Sequence, residues 1–175
     1  NNQIISVGRL EKEKDFITLI EVFNILQKEN KNLVLKIAGE GSQRKILQEK
    51  IDSLGLTHKV KLLGRISSDD INEEMAKSKI FILTSKGESF SLALCEAMEC
   101  GLPCLSFNIE VGPKEIIRNG YNGILVEDRN KEQMAKEAKE LIENEEKWVL
   151  LSNNSKEYVK QYYSENIVKK WLEII

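Results

Sequence analysis

A chain of 175 residues, 41% hydrophobic and 31% charged, has the length and apolar content of one domain with a full core. Its formal net charge of −2 and pI of about 5.7 give no electrostatic footprint for nucleic acid, and no apolar run is long enough to span a membrane. Cys95, Cys100 and Cys104 lack metal-ligand spacing and the single histidine, His58, lies far from them, so they read as reduced core thiols of a cytoplasmic protein.

The chain opens on a strand at residues 4–7 without a leader, as a fragment cut from a longer protein would. A helical apolar period follows over 15–29, then a strand at 33–38 and a helix at 42–54 closed by Gly55. A strand at 60–63 precedes a helix at 69–77, where Asp70 stands three residues before Glu73 as in a capping box. The apolar strand 80–84 runs through a polar turn into a helix at 91–100, with Gly101 just past its end. A strand at 103–107, a short helix at 113–118 with Pro113 in its first turn, a strand at 123–126 and a helix at 131–144 complete the alternation. From about 145 through 175 the pattern is helical only. This order predicts an α/β, Rossmann-like fold: a parallel sheet with helices on both faces and a helical C-terminal tail. Without an internal repeat, low-complexity tract or linker, residues 1–175 read as a single domain.

Ligands of open parallel sheets bind beyond the carboxyl ends of the strands. Those ends lead into Gly8-Arg9-Leu10-Glu11-Lys12-Glu13-Lys14, Gly39-Glu40-Gly41-Ser42, Gly64-Arg65-Ile66, Ser85-Lys86-Gly87-Glu88 and Asn108-Ile109-Glu110-Val111-Gly112-Pro113. Each contains a glycine, which lets backbone approach a ligand closely. The most informative stretch is Glu88-Ser89-Phe90-Ser91-Leu92-Ala93-Leu94-Cys95-Glu96, at the start of the predicted helix 91–100. Unpaired amides and the helix dipole favour an anion there. Carboxylates on either side suit hydroxyls attached to a phosphate compound better than phosphate itself. A nucleotide sugar offers both. Glu96, between Leu94 and Met98 on an apolar helix, is expected to need a partner, because burying a lone charge is costly.

In this order the segments resemble the C-terminal, donor-binding domain of family-4 glycosyltransferases, retaining enzymes of the GT-B fold. The likeness runs from Val7-Gly8-Arg9-Leu10 and Lys14 through Ala38-Gly39-Glu40-Gly41, Leu63-Gly64-Arg65 and the Glu88/Glu96 pair. It continues through Cys100-Gly101-Leu102-Pro103, Gly112-Pro113-Lys114-Glu115-Ile116-Ile117 and Asn119-Gly120 with Asn122-Gly123-Ile124-Leu125-Val126, and ends near Tyr163-Ser164-Glu165-Asn166. The resemblance implies one half of a GT-B fold, with an N-terminal acceptor domain outside this chain. It implies retaining, metal-independent transfer of a hexose from a nucleotide diphosphate to a glycan or lipid-linked acceptor, in polysaccharide or glycoconjugate synthesis. Arg9 and Lys14 would hold the diphosphate and Glu88 the hydroxyls of the transferred sugar, which makes these three the catalytic set. Gly8, Arg65, Ile66, Phe90, Ser91, Leu92 and Glu96 would bind the rest of the donor, with Arg65 and Ile66 facing the base and Glu96 the ribose. No D-x-D triplet occurs, so neither a metal nor another cofactor is expected. The Gly112-Pro113-Lys114-Glu115 version resembles members that use UDP-linked sugars. Asp15 stands where glycine usually follows the lysine, Ser89 and Ser91 replace frequent glycines, and Val111 replaces the first of a glycine pair.

Two other readings stay open: a nucleotide-sugar epimerase of the same architecture, and a catalytically silent nucleotide-binding partner domain. In the tail, Lys156, Lys160, Lys169 and Lys170 alternate with Tyr158, Tyr162, Tyr163 and Trp171, which fits either a solvated helix face or a patch lying on the inner membrane surface. Ile167, Val168, Trp171, Leu172 and Ile175 form an apolar stripe. Its natural cover in the resembled family is the N-terminal domain, so Trp171 is expected to be exposed or mobile here, and the isolated chain to transfer little sugar.

Overall fold

The computed structural model describes residues 2–163. Six strands, β1 (Gln3–Val7), β2 (Val34–Ala38), β3 (Val60–Gly64), β4 (Ile80–Leu83), β5 (Cys104–Phe107) and β6 (Gly123–Val126), form one sheet in the order β3-β2-β1-β4-β5-β6. Every pairing is parallel. Among the described residues seven α-helices accompany them: α1 (Phe16–Glu29), α2 (Arg44–Ser53), α3 (Ser68–Ala76), α4 (Leu92–Glu99), α5 (Pro113–Ile116), α6 (Lys131–Glu143) and α7 (Glu145–Val159). The α/β, Rossmann-like expectation holds.

Both faces of the sheet are covered, and strand periodicity decides which residue goes where. Ile4, Ile80, Ile82, Leu105 and Phe107 pack with Phe23 of α1, Leu47 of α2 and Met134 of α6. Their alternates Ile5, Phe81, Leu83 and Cys104 pack with Met75 of α3, Leu94 and Met98 of α4 and Ile116 of α5. This double burial explains why β4 reads as an unbroken apolar run and why β5 is buried at every position, Ser106 included. In α1 the buried residues Phe16, Leu19, Ile20, Phe23 and Leu26 recur at helical spacing and turn one stripe to the sheet.

Three expectations are corrected. The capping box of α3 is built by Ser67 and Asp70: Ser67 Oγ accepts from the Asp70 amide at 3.1 Å, and the Ser67 amide donates to Asp70 Oδ2 at 3.4 Å. Asp70 is thus inside the first turn and does not cap toward Glu73. Helix α5 ends at Ile116, short of residue 118, because the wholly buried Asn122 side chain accepts from the Arg118 amide at 2.7 Å and donates to the Ile116 carbonyl at 3.0 Å. Of the three cysteines only Cys104 is fully buried; Cys95 and Cys100 are half-buried on α4 and at its end. The helical tail passes from α7 into a 3-10 turn at Lys160–Tyr162. Tyr162 there meets Phe90 edge to face at 5.5 Å. Residues 164–175, with Lys169, Lys170 and the Trp171 stripe, lie outside the described residues.

Candidate functional site

The strand order runs outward from β1 in one direction and from β4 in the other, so the connections leave these adjacent strands on opposite sides and open a crevice beyond their carboxyl ends. The loops that border it are locked together by backbone. The Leu10 amide donates to Glu40 O at 2.8 Å, and the Gly39 amide to Gly64 O at 2.9 Å. Gly39 has φ 141°, and a Cβ on it would stand 1.9 Å from the Gly8 carbonyl oxygen, so only glycine lets these loops touch.

The 3-10 turn Lys12–Lys14 carries Lys14 from the β1 side toward β4. There the Lys86 amide donates to Glu13 O at 2.7 Å, and Thr84 Oγ1 donates to Lys14 O at 3.2 Å. Lys14 Nζ consequently reaches Glu88 Oε1 at 2.5 Å, with only 19% and 7% of the two side chains exposed. Ser85 Oγ donates to the same carboxylate oxygen at 2.8 Å. The loop after β5 presses on Glu88 from the far side: Gly112 has φ 96°, and a Cβ there would meet Glu88 Cβ and its carbonyl oxygen at 2.7 Å.

Helix α4 begins just beyond Glu88. Its first backbone bonds run from the Leu94 and Cys95 amides to Ser91 O, at 3.2 and 3.3 Å, so the amides before them have no place in the helical ladder. Ser91 is buried and its side chain makes no capping bond; Phe90 and Leu92 are exposed at the rim. Lys14, Glu88 and the Phe90–Leu92 backbone therefore gather at one crevice. Arg9 leaves the same end of β1 but is solvent-exposed and paired with Glu13 at 3.2 Å. Gly8 donates to Ala38 O at 3.0 Å in the floor. Arg65 (exposed) and Ile66 (half-buried) follow β3, at the edge of the sheet.

Glu96 differs from its expectation. It is exposed, so no buried charge demands a partner; Leu94, Ala97 and Met98 occupy the buried face of α4 and leave Glu96 on the other. The neighbouring Cys95 thiol is pushed up to about 11, by burial first and then by the charges of Glu96 and Glu99. It is a poor nucleophile. His58 is exposed.

Two site residues escaped the sequence reading. Asp15, directly after Lys14, is nearly buried and its Oδ2 accepts from Thr18 Oγ1 at 2.8 Å. Arg129, in the turn before α6, reaches that same Oδ2 at 2.8 Å and also donates to the carbonyls of Thr84 and Ser85. The clue available in the sequence was Asp15 itself: an acid where glycine is usual needs a backbone and charge arrangement of its own.

Residues 1–158 match the family model described as Glycosyl transferases group 1. Over 175 residues the chain is 33% identical to an uncharacterized glycosyltransferase of Haemophilus influenzae, with 100% of this chain set against 49% of that one. Among solved structures it superimposes on a mutant of Staphylococcus aureus TarM in complex with UDP, alpha-GlcNAc-glycerol and fondaparinux, with a TM-score of 0.91 and 27% identity over 98% of this chain and 35% of that one. It also superimposes on the C-terminal domain of the glycosyl transferase group 1 family protein LpcC from Francisella tularensis, with a TM-score of 0.81 and 26% identity over 92% and 86% of the two chains. The chain spans about half or less of the length of the curated relatives it matches.

Proposed function

The chain belongs to the glycosyl transferases group 1 family, and on that premise we propose that it is the C-terminal, donor-binding half of a retaining hexosyltransferase that takes its sugar from UDP. The observation that carries the reading is the Lys14–Glu88 pair at the β1/β4 crevice, next to the start of α4. It sets a cation and an acid side by side where a compound with both phosphate and hydroxyls would lie. The UDP in the TarM complex, and the likeness to the LpcC C-terminal domain, support the nucleotide and the C-terminal placement.

In this reading Lys14 gives one N–H to Glu88 and, among the described residues, keeps two for phosphate oxygens. Arg9 closes on the diphosphate from the exposed rim. The amides at the start of α4 add fixed partial positive charge. When the bond between the sugar's anomeric carbon and the diphosphate oxygen breaks, its electron pair stays on the diphosphate. Lys14, Arg9 and the helix start stabilise that growing charge more than they stabilise the bound donor, which is what lowers a barrier. The acceptor oxygen bonds to the anomeric carbon on the same face, and its proton passes to the departing diphosphate. Glu88 accepts hydrogen bonds from sugar hydroxyls, Glu96 from the ribose, and Arg65 and Ile66 border the base. These groups supply the neutralising charge without a metal. The acceptor, a glycan or a lipid-linked sugar, would bind a domain outside this chain, so the chain alone binds donor and transfers little.

Calorimetric titration of the chain with UDP, pyrophosphate and uridine, in buffer with a chelator, tests this. UDP should bind more tightly than either part, with chelator present. Absence of UDP binding, or binding that appears only with added metal, sinks the reading.

A further inference from the structure

Among the described residues, two other than glycine hold a left-handed backbone, Asp15 (φ 49°) and Arg129 (φ 61°). They lie 114 positions apart in sequence, and they are ion-paired, Arg129 Nη1 to Asp15 Oδ2, at 2.8 Å. An L-residue resists this backbone region and keeps it only where its surroundings over-determine it. For both members of one ion pair to sit there is a construction, and it joins the residues that flank Lys14 and Glu88.

We propose that Arg129 is a positioning residue that fixes the spacing between the loop carrying Lys14 and the loop carrying Glu88, an inference that rests on the donor-site reading above. Its guanidinium makes four hydrogen bonds: to Asp128 Oδ1 at 2.8 Å, Asp15 Oδ2 at 2.8 Å, Thr84 O at 2.9 Å and Ser85 O at 2.7 Å. Its Cζ lies over the Phe107 ring, 4.7 Å from the ring centre. These contacts close a ring. Lys14 is bonded to Asp15, Asp15 pairs with Arg129, Arg129 holds the Ser85 carbonyl, Ser85 Oγ donates to Glu88, and Glu88 pairs with Lys14. Asp15 adds a direct stitch, since its own carbonyl, at 3.1 Å, shares the Thr84 hydroxyl proton with the Lys14 carbonyl. A planar fork with several donors can hold an acid and two carbonyls at once; an ammonium group cannot keep the same geometry.

A plain structural staple would be replaceable by glycine at both positions, since glycine adopts φ near +50 to +60° without penalty. That gives the test. In Asp15→Gly/Arg129→Gly the two paired charges leave together and both backbones relax, which offsets the loss of Asp15's contacts with Thr18 and Lys86, so the chain is expected to keep its fold. UDP affinity should still fall about tenfold, the scale of one lost hydrogen bond to a charged group. The Lys86 amide, which donates to Glu13 O across the same gap, should exchange faster with solvent. Arg129→Lys, read by the same two measurements, should fall between the double variant and the parent, and it serves alone if the double variant does not fold. Parental UDP affinity in a folded variant overturns the proposal. If the parent itself does not bind UDP, the donor-site reading fails separately, and Lys86 exchange decides the clamp: acceleration supports it and an unchanged rate overturns it.

Discussion

Lys14 and Glu88, 74 positions apart in sequence, meet at 2.5 Å across the crevice between β1 and β4. The pair is largely removed from solvent, and so each charge depends on the other. Lys14→Ala leaves the Glu88 carboxylate, among the described residues, with Ser85 as its remaining partner. Stability should drop by about 1–3 kcal/mol, the cost of a buried polar group stripped of a partner. UDP affinity should drop about ten- to hundredfold in the same protein. Urea unfolding and calorimetry on one preparation check both; loss of stability with intact affinity would make the pair a fold element alone.

Arg9 separates the two effects. Its side chain is 75% exposed and its partner Glu13 is four residues away. Exposed pairs of this kind contribute little, so Arg9→Ala should move stability by less than about 0.5 kcal/mol. Its proposed place is the open side of the diphosphate, where it acts as a cation. The variant should therefore bind UDP about tenfold more weakly and bind uridine as before, and its UDP affinity should respond less steeply to added salt. Equal losses for UDP and uridine would remove Arg9 from the diphosphate.

Gly112 should be intolerant of any side chain. Alanine there combines an unfavourable backbone region, φ 96°, with a Cβ 2.7 Å from backbone and side-chain atoms of Glu88. Strain of this kind costs of order 1–3 kcal/mol before any repacking. Gly112→Ala is thus expected to lower the melting temperature and to shift Glu88 off Lys14. Gly55→Ala is the control, because Gly55 is also left-handed but has open space around it. It should cost stability without changing UDP affinity. If both variants bind UDP alike, Gly112 does not set the position of Glu88.

The fold was legible because burial on both faces writes β4 as an apolar run and leaves the other strands mostly apolar, and the strand at 123–126 matches β6 residue for residue. The gathering of glycine loops at one sheet end followed from strand polarity. What sequence could not show was which side chains meet across those loops. The Lys14–Glu88 contact depends on the 3-10 turn at Lys12–Lys14 and on long-range bonds made by Thr84 and Lys86. The exposure of Glu96 has a local reason: apolar neighbours along the chain are not its neighbours in space. On a helix Leu94 and Met98 share a face with Ala97, and Glu96 turns away from it. Arg129 looked like an ordinary turn residue, since its partners are two carbonyls and an acid far upstream.

Glu21 on α1 gives a pH signature independent of any ligand. Its carboxylate accepts from Lys50 of α2 at 2.6 Å and from Lys131 of α6 at 3.0 Å, which ties three helices on one face of the sheet. The Lys50 hydrogen bond is the main cause that holds its pKa below the ordinary 4.5; burial opposes this, and Lys131 reinforces it. A carboxyl whose folded value is depressed binds its proton more readily in the unfolded chain. Its stabilisation is therefore complete above the unfolded value and drains away as pH falls through the lower folded value. Glu21→Gln keeps the shape and removes the charge, so at neutral pH it should cost about 0.5–1 kcal/mol, the upper range for partly exposed pairs. The gap between the parent and Glu21→Gln in urea midpoint should persist down to the ordinary carboxylate range and close below it. At neutral pH, added salt should narrow the gap only in part, because the pair is partly sheltered from solvent. A gap that stays constant through the acid range would show that shape, and not charge, is what Glu21 supplies.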